Sequence, residues 1–334
     1  MYRGSDFEVA AGPADACAHS GGADRISGPA KTNRAAIATV RLPFQVGART
    51  VARVSLRLSR LAISLEQALD GALPPLPSLP GDADGYLIRA VPEGLQSLLR
   101  ADRTLRVFVR QSYVRYYAEL DQPFDAYFAD MSGNSRSTLR RKMRKLSERC
   151  GGKLDIRLYR RPEEMEEFHA HARAVSQLTY QERLLDAGLS EESLAEAVAL
   201  AAEDRLRAWL LFIDDVPVSY LYLPVAGDTL IYHQLGYDPA FARWSPGSVL
   251  QLEAMRMLME ERRFRRIDFT EGDGQHKRQF ANGSIPSADL MLLRPRLRNL
   301  AAAHALQGFD SSVSLAKRLL ERLGLYAAGR AMLR

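Results

Sequence analysis

The chain has 334 residues, which is enough for two domains or for one large domain with extensions. Its hydrophobic content of 46% and its charged content of 26% exclude a wholly disordered chain. The formal net charge of +6 favours anionic partners such as phosphates, nucleotides or an acidic membrane face.

Two cysteines, Cys17 and Cys150, give no disulfide framework and no zinc site, and such usage is typical of a reducing compartment. No run is apolar and long enough to span a bilayer. Asp6 and Glu8 lie where a signal peptide would need its hydrophobic core. We therefore expect a cytoplasmic protein without a transmembrane segment, in which only the basic C-terminal helices are suited to peripheral membrane contact.

The first third of the chain predicts a small α/β unit. Residues 1–35 are rich in small and polar residues, and we expect a disordered tail there. Alternation predicts strands over 51–58 and 86–91, a short helix over 92–100, and one or two strands over 105–120. The proline-rich segment 73–80 lies between strand signals, which favours an internal loop over a ligand for a proline-binding module.

The region after residue 120 predicts two helices, and the second of them is strongly basic. Asn134 or Ser135 can cap it, and Gly151 and Gly152 end it. One interpretation is a face for phosphate or nucleic acid. The other is a solvated helix that links two domains, and this one is favoured because no aromatic residues separate the charges. In that case an apolar stripe at helical spacing packs the helix against the rest of the protein. The stripe consists of Leu139, Met143 and Leu146.

From residue 153 onward the pattern is β-α-α-β-β-β-α-β, with a further strand over 288–293. The predicted strands are 153–160, 206–213, 216–224, 229–237 and 266–269, and the predicted helices are 162–178, 191–203 and 247–263. The helix 247–263 has a narrow charged stripe, so it is expected to pack deeply against a sheet. A polar loop is predicted over 271–277, and two helices after Leu297.

The turn at Ser245-Pro246-Gly247-Ser248 opens the helix 247–263. Backbone N–H groups at such a helix start form a ready anion site, most often for phosphate. Serine and proline are also common at helix starts that bind nothing. Both interpretations stay open at this point.

This order of elements resembles the GNAT acyltransferase fold over roughly residues 80–295. Three segments sharpen the resemblance toward the FemAB-like and CelD-type branch, which is linked to polysaccharide and cell-envelope synthesis: RSTLRRKMRKL at 136–146, WSPGS at 244–248 and DFTEGDGQHK at 268–277. The resemblance implies an α/β (α+β) fold with a mixed sheet flanked by helices and two GNAT-like halves. The expected domains are a disordered tail (1–35), an N-terminal GNAT-like half (36–135), a GNAT acyltransferase domain (136–295) and a C-terminal helical tail (296–334).

The resemblance further implies direct attack of an amine on the thioester of acetyl-CoA or another acyl-CoA, with no metal. The acceptor is expected to be a small-molecule amine or a sugar-linked amine. Candidate bases are His233 and Glu271, and candidate acids are His276 and Tyr232. The expected cofactor-binding residues are Gln234, Leu235, Arg243, Ser245, Gly247, Ser248 and Val249. The expected substrate-binding residues are Tyr180, Asp273 and Lys277.

Two departures from the family pattern keep alternatives open. In the GNAT cofactor loop, Gln/Arg-x-x-Gly-x-Gly/Ala, Trp244 replaces the first residue and Val249 the last. His276-Lys277 stands where the branch has Tyr-Lys. One alternative is FemAB-type transfer from aminoacyl-tRNA, in which the basic helix touches the tRNA; no other nucleic acid is expected. The other alternative is a catalytically degenerate accessory protein of polysaccharide biosynthesis.

Overall fold

The computed structural model describes residues 36–46, 49–100, 104–179, 189, 193–272 and 274–322. The strands are β1 (Ile37–Val46), β2 (Arg49–Ala62), β3 (Gly85–Pro92), β4 (Arg106–Glu119), β5 (Asp155–Tyr159), β6 (Leu206–Ile213), β7 (Val216–Ala226), β8 (Thr229–Ile231), β9 (Gln234–Tyr237), β10 (Arg266–Asp268) and β11 (Gly283–Leu293). The α-helices are α1 (Leu65–Leu69), α2 (Gln96–Arg100), α3 (Phe124–Asp130), α4 (Gly133–Arg149), α5 (Met165–Leu178), α6 (Ser193–Ala202), α7 (Pro246–Glu261), α8 (Gln275–Phe280) and α9 (Leu297–Arg322). Short 3₁₀ turns cover Glu93–Leu95, Pro162–Glu164 and Pro239–Trp244.

The strands form one mixed sheet in the order β1-β2-β3-β11-β4-β10-β8-β7-β6-β5, and β9 also pairs with β7. The pairs β2–β3 and β8–β10 are parallel, and the other neighbours are antiparallel. Helices cover the sheet, so the predicted mixed α/β fold class is confirmed. No helix of the described residues is long and apolar enough to cross a membrane.

Strands from both ends of the chain share this sheet. The late strand β11 lies between β3 and β4, and β4 pairs with β10. The two GNAT-like halves and their boundaries stay a prediction; the boundary placed after residue 135 falls inside α4.

Helix α7 is the central helix of the C-terminal part, as its pattern predicts. It begins after Ser245, whose φ of 54° is left-handed, and ends at the left-handed Arg262. Its buried face packs on β6 and β7, because apolar residues cover most of its surface. The exposed stripe is held together by Arg256, which pairs with Glu253 at 2.6 Å and with Glu260 at 2.7 Å.

The proline-rich segment is an internal loop, as predicted. Leu73, Leu76 and Leu79 pack against the core that β3 and β11 share. The Tyr86 hydroxyl donates to the Pro77 carbonyl at 2.5 Å. These contacts occupy the apolar face of the segment.

Several element boundaries differ from the sequence-based expectation. Strand 229–237 is broken into β8 and β9, and the predicted loop 271–277 contains the start of α8. Of the two helices predicted after Leu297, the described residues contain one continuous helix, α9, up to Arg322; no proline interrupts its apolar stripe against β1 and β2. Ser132, not Asn134 or Ser135, caps α4: its hydroxyl accepts from the Ser135 N–H at 3.2 Å. Strand β1 was not expected from the sequence.

Candidate active site

A gap opens in the sheet where β8 and β9 part from β10. Strands β8 and β10 pair in parallel up to Ile231 and Asp268. Their last shared hydrogen bond runs from the Tyr232 N–H to the Asp268 carbonyl, at 2.8 Å. Beyond it β9 pairs with β7, whereas the Phe269 N–H donates to Tyr116 of β4 at 2.9 Å. The two parallel strands therefore diverge after Tyr232.

One extra residue lies at the break between β8 and β9. Tyr222 of β7 is opposite Gln234, whereas Val225 is opposite Leu230, so the register shifts by one residue in between. Tyr232 and Leu235 both face α7, although side chains three residues apart normally face opposite sides of a strand. The break is thus a β-bulge, a feature that re-aims backbone groups.

The bulge leaves the Leu235 amide facing the gap. The Asp238 N–H donates to the Val218 carbonyl of β7 at 2.9 Å. Because amide direction alternates along a strand, the amides of Gly236 and Gln234 also face β7. The Leu235 amide faces the opposite way, toward β10. Of the two predicted cofactor-binding residues on this strand, Leu235 and not Gln234 presents its N–H to the gap.

The start of α7 closes one end of the gap. A Cβ atom on Gly247 would lie 2.9 Å from Cδ2 of Leu235, so glycine allows the helix to approach β9 closely. The amides of Ser248 and Val249 lie 3.1 and 3.2 Å from the Ser245 carbonyl. Those two predicted phosphate donors therefore already have an acceptor within the helix start.

Helix α4 lies beside this helix start. The Lys142 ammonium donates to the Ser248 hydroxyl at 3.0 Å, and the Lys145 ammonium donates to the Arg243 carbonyl at 2.9 Å. The Arg243 guanidinium covers the Trp244 ring at 3.8 Å. Burial, and secondarily the charge of Arg141, lowers the pKa of Lys142.

The basic helix α4 has features of both interpretations, the packed solvated helix and the face for an anion. Leu139 and Leu146 are buried as the solvated-helix interpretation requires, and Met143 packs against the same core. The lysines on the adjacent surface of α4 nevertheless reach the loop that precedes α7. Sequence alone did not place them there, because the contact joins residues about a hundred positions apart.

Tyr232 and His276 are brought together at the apex of the gap. Their ring centroids are 5.9 Å apart, and Tyr232 also packs against Phe269 at 5.4 Å. Burial raises the pKa of Tyr232, which keeps its phenol protonated. His276 retains an exposed edge, yet the protein around its ring and the charge of Lys277 lower its pKa to about 4. Its imidazole is therefore mostly neutral at neutral pH, and its predicted role as an acid stays a prediction.

His233 points to the other face of the strand. It is exposed, and its ring meets the ring of Tyr222 edge-on at 5.8 Å. The bulge turns this residue toward solvent. His233 and Tyr232 thus flank the same backbone from opposite sides.

Glu271 lies in a charged cluster that joins the N-terminal strands to the loop after β10. The Arg89 guanidinium donates to its carboxylate at 2.5 Å, and the Lys277 ammonium donates to its backbone carbonyl at 2.5 Å. The second predicted base is thus held in an ion pair, and the contact of Lys277 fixes the loop. Tyr180 and Asp273, both predicted to bind substrate, lie outside the described residues.

The same cluster contains a buried carboxylate that sequence reasoning missed. Asp289 accepts from Gln111 and from the Ala90 amide at 2.9 Å, and from the Tyr113 hydroxyl at 3.0 Å. Its Oδ2 is 4.0 Å from Nε of Arg89. Burial, together with the charge of Glu271, raises the pKa of Asp289. The available signal was a charged residue inside the otherwise apolar strand 288–293.

A second buried pair lies at the end of β10. Arg115 of β4 contacts Asp268 through two hydrogen bonds, at 2.5 and 3.1 Å, and donates to the Ile63 carbonyl at 2.8 Å. Asp268 also accepts from the Thr270 N–H at 2.8 Å and so supports that residue's φ of 60°. Arg115 therefore fixes the direction in which the chain leaves β10.

Residues 133–278 match a family model described as "Acetyltransferase (GNAT) domain". This segment is similar to GNAT-type acetyltransferase domains. The match spans α4, the bulged strand, α7 and the loop after β10, so the matched segment includes every part of the gap except the neighbouring strand β4. Within the described residues, no cluster of three or more His, Cys, Asp or Glu side chains could hold a metal ion.

Solved structures show distant similarity to the chain. A conserved protein of unknown function from Bacteroides thetaiotaomicron is 13% identical with a TM-score of 0.49, covering 63% of this chain and 70% of that one. FemX is 13% identical with a TM-score of 0.48, covering 77% and 88%. The C-terminal domain of a proposed lysylphosphatidylglycerol synthetase from Agrobacterium fabrum is 14% identical with a TM-score of 0.47, covering 70% and 73%. No curated protein matches the chain. At these TM-scores the similarities support no argument about function.

Proposed function

We propose that the GNAT domain transfers an acyl group from an acyl-CoA thioester, such as acetyl-CoA, to the amine of a small-molecule acceptor. The observation that carries this proposal is the gap between β9 and β10, which the Leu235 amide borders and α7 closes. A gap between diverging strands suits an extended arm such as pantetheine. An amide facing it can donate to the thioester carbonyl, where negative charge develops during the reaction.

The reaction requires two proton transfers. The acceptor nitrogen attacks the carbonyl carbon, a C–N bond forms and the C–S bond breaks; the amine loses a proton and the thiolate gains one. We assign the second transfer to Tyr232, which lies at the apex of the gap with a protonated phenol. We assign the first to His233, because Glu271 is held by Arg89.

The acceptor is the least constrained part of the proposal. The resemblance to the FemAB-like and CelD-type branch supports an amino sugar or another envelope or polysaccharide precursor. Thiol release from acetyl-CoA, measured with a panel of amino sugars and simple amines, tests this class. Turnover with simple amines but with none of the amino sugars would contradict it.

The Leu235 amide can be removed without breaking the β7–β9 ladder. Proline at position 235 lacks the N–H that faces the gap, and proline is tolerated in a strand where its N–H is not used for pairing. Leu235→Ala is the matched control, since it shortens the side chain and keeps the amide. We expect acetyl-CoA to bind the wild-type protein, and Leu235→Pro to lower turnover by about 100-fold relative to Leu235→Ala.

Two further variants complete this experiment. Tyr232→Phe keeps the ring packing, so it should bind acetyl-CoA normally and lose turnover by about 100-fold or more. His233→Gln should do the same if His233 is the base. Equal turnover in the proline and alanine variants would remove the role of the amide. Failure of every CoA compound to bind the wild-type protein would overturn the proposal and favour aminoacyl-tRNA or an accessory role.

A further inference from the structure

Four cationic side chains lie where α4 meets the start of α7 and the turn before it. Arg141, Lys142, Lys145 and Arg243 form no ion pair with any carboxylate among the described residues. On the same helix, Arg144 pairs with Glu148 at 3.8 Å and Arg149 pairs with Asp214 at 2.5 Å. Acidic residues are therefore present along α4, but they pair away from this group.

Among the residues that the structure describes, Lys142 and Lys145 donate to neutral acceptors. One ammonium donates to the Ser248 hydroxyl at 3.0 Å and the other to the Arg243 carbonyl at 2.9 Å. Withdrawing an ammonium from water without a counter-charge costs free energy, and burial accordingly lowers the pKa of Lys142. An anion that binds between these side chains would offset that cost.

A continuous series of contacts joins these lysines to the gap. Leu235, whose amide faces the gap, meets Gly247 at the start of α7. The next residue, Ser248, contacts Lys142. A ligand that extends from the gap over the start of α7 therefore passes beside Lys142 of α4.

We propose that Lys142 and Lys145 bind phosphate groups of the nucleotide portion of the CoA thioester, an inference that rests on the proposed function. Phosphate is the anion that fits this group of cations, because a lysine ammonium acts as a compact point charge for it. The amides of Ser248 and Val249 are already bonded to the Ser245 carbonyl, so the lysines of α4 add donors beside this helix start. Arg141 and Arg243 add to the positive field around the same point.

The test separates the contribution of the two lysine charges to CoA affinity from that of the side-chain volume. The double variant Lys142→Met/Lys145→Met keeps the apolar stems and removes both charges, whereas Lys142→Arg/Lys145→Arg keeps the charges. Lys153→Ala is the matched control, because Lys153 is an exposed lysine just beyond α4. Affinity for CoA and dephospho-CoA is measured by titration calorimetry, and folding is checked by thermal unfolding without ligand.

We expect the methionine variant to bind CoA about 100-fold more weakly, because each lysine supplies one charge-assisted hydrogen bond worth about tenfold in affinity. The arginine variant should retain most of the affinity, and Lys153→Ala all of it. A weakening seen equally with CoA and dephospho-CoA places the lysines at the pyrophosphate, and a weakening seen only with CoA places them at the 3′-phosphate.

Three results would overturn the inference. If the wild-type protein binds CoA and the methionine variant binds it equally well, the lysine assignment fails and the proposed function stands. If the wild-type protein binds neither compound, both fail. If the arginine variant loses as much affinity as the methionine variant, the lysines act through local packing and not through charge.

Discussion

On one side of the gap Arg89 and Arg115 each meet a carboxylate, whereas on the other side the described partners of Lys142 and Lys145 are a hydroxyl and a carbonyl. We call the first group, Arg89, Arg115, Asp268, Glu271 and Asp289, the paired cluster. The second group, Arg141, Lys142, Lys145 and Arg243, is the unpaired cluster. The paired cluster has its counter-charges within the protein, so its role is to fix the loop after β10. In the part of the chain that the structure describes, the unpaired cluster has no such counter-charges, which leaves its positive charge available to an anionic ligand.

The largest effect is expected at Arg115. Arg115→Ala leaves Asp268 buried without its partner, and removing one member of a buried ion pair typically costs about 3–5 kcal/mol of unfolding free energy. Both side chains are less than a tenth exposed, at 7% and 2%. Denaturant unfolding measures the change. The control is Arg144→Ala, whose exposed pair with Glu148 is worth about 0.5 kcal/mol or less. Similar losses in both variants would show that burial does not distinguish the two pairs.

Arg89→Ala should cost less, about 1–3 kcal/mol, because the guanidinium is 31% exposed and Asp289 keeps three other donors. This loss should depend on pH. Burial already raises the pKa of Asp289, and removing Arg89 raises that pKa further. A carboxyl group with a raised folded-state pKa stabilises the fold below its unfolded pKa, and this contribution is lost as pH rises through the folded value.

Arg89→Ala should therefore be more destabilised at pH 8 than at pH 4, as measured by denaturant unfolding at both values. Arg89→Lys is the control, because it keeps a positive charge near both carboxylates and should show a smaller pH dependence. A loss that is equal at the two pH values would mean that Asp289 does not titrate between them.

The sequence predicted most of the fold because its local signals are strong. Apolar alternation marked β2, and the narrow charged stripe marked α7 as a deeply packed helix. The parallel pairing of β8 and β10 followed from the strand–helix–strand order. The break at His233 could not be predicted, because a one-residue bulge is visible only in the register against β7.

The charged clusters were beyond sequence reasoning for a different reason. Arg89 and Glu271 are 182 residues apart, and Lys142 and Ser248 are 106 apart. No periodicity connects such positions, so only the sheet order brings them together. The predicted roles of Glu271 and Lys277 therefore stay predictions, whereas the structure adds Arg89, Asp289 and Lys142 as residues to test.

The smallest effect on stability is expected in the unpaired cluster. Lys142→Met/Lys145→Met removes no ion pair with a described residue, so without ligand its unfolding free energy should change by about 0.5 kcal/mol or less. Relief of the repulsion with Arg141 and of the partial burial of Lys142 acts in the stabilising direction. A destabilisation as large as that of Arg89→Ala would show that both clusters are structural.

Adding CoA increases the difference between the two clusters. At a ligand concentration 100-fold above Kd the wild-type protein gains about 2.7 kcal/mol, and a 100-fold weaker variant gains only about 0.4 kcal/mol. Thermal unfolding with and without CoA thus separates a cluster that stabilises the fold from one that stabilises a complex.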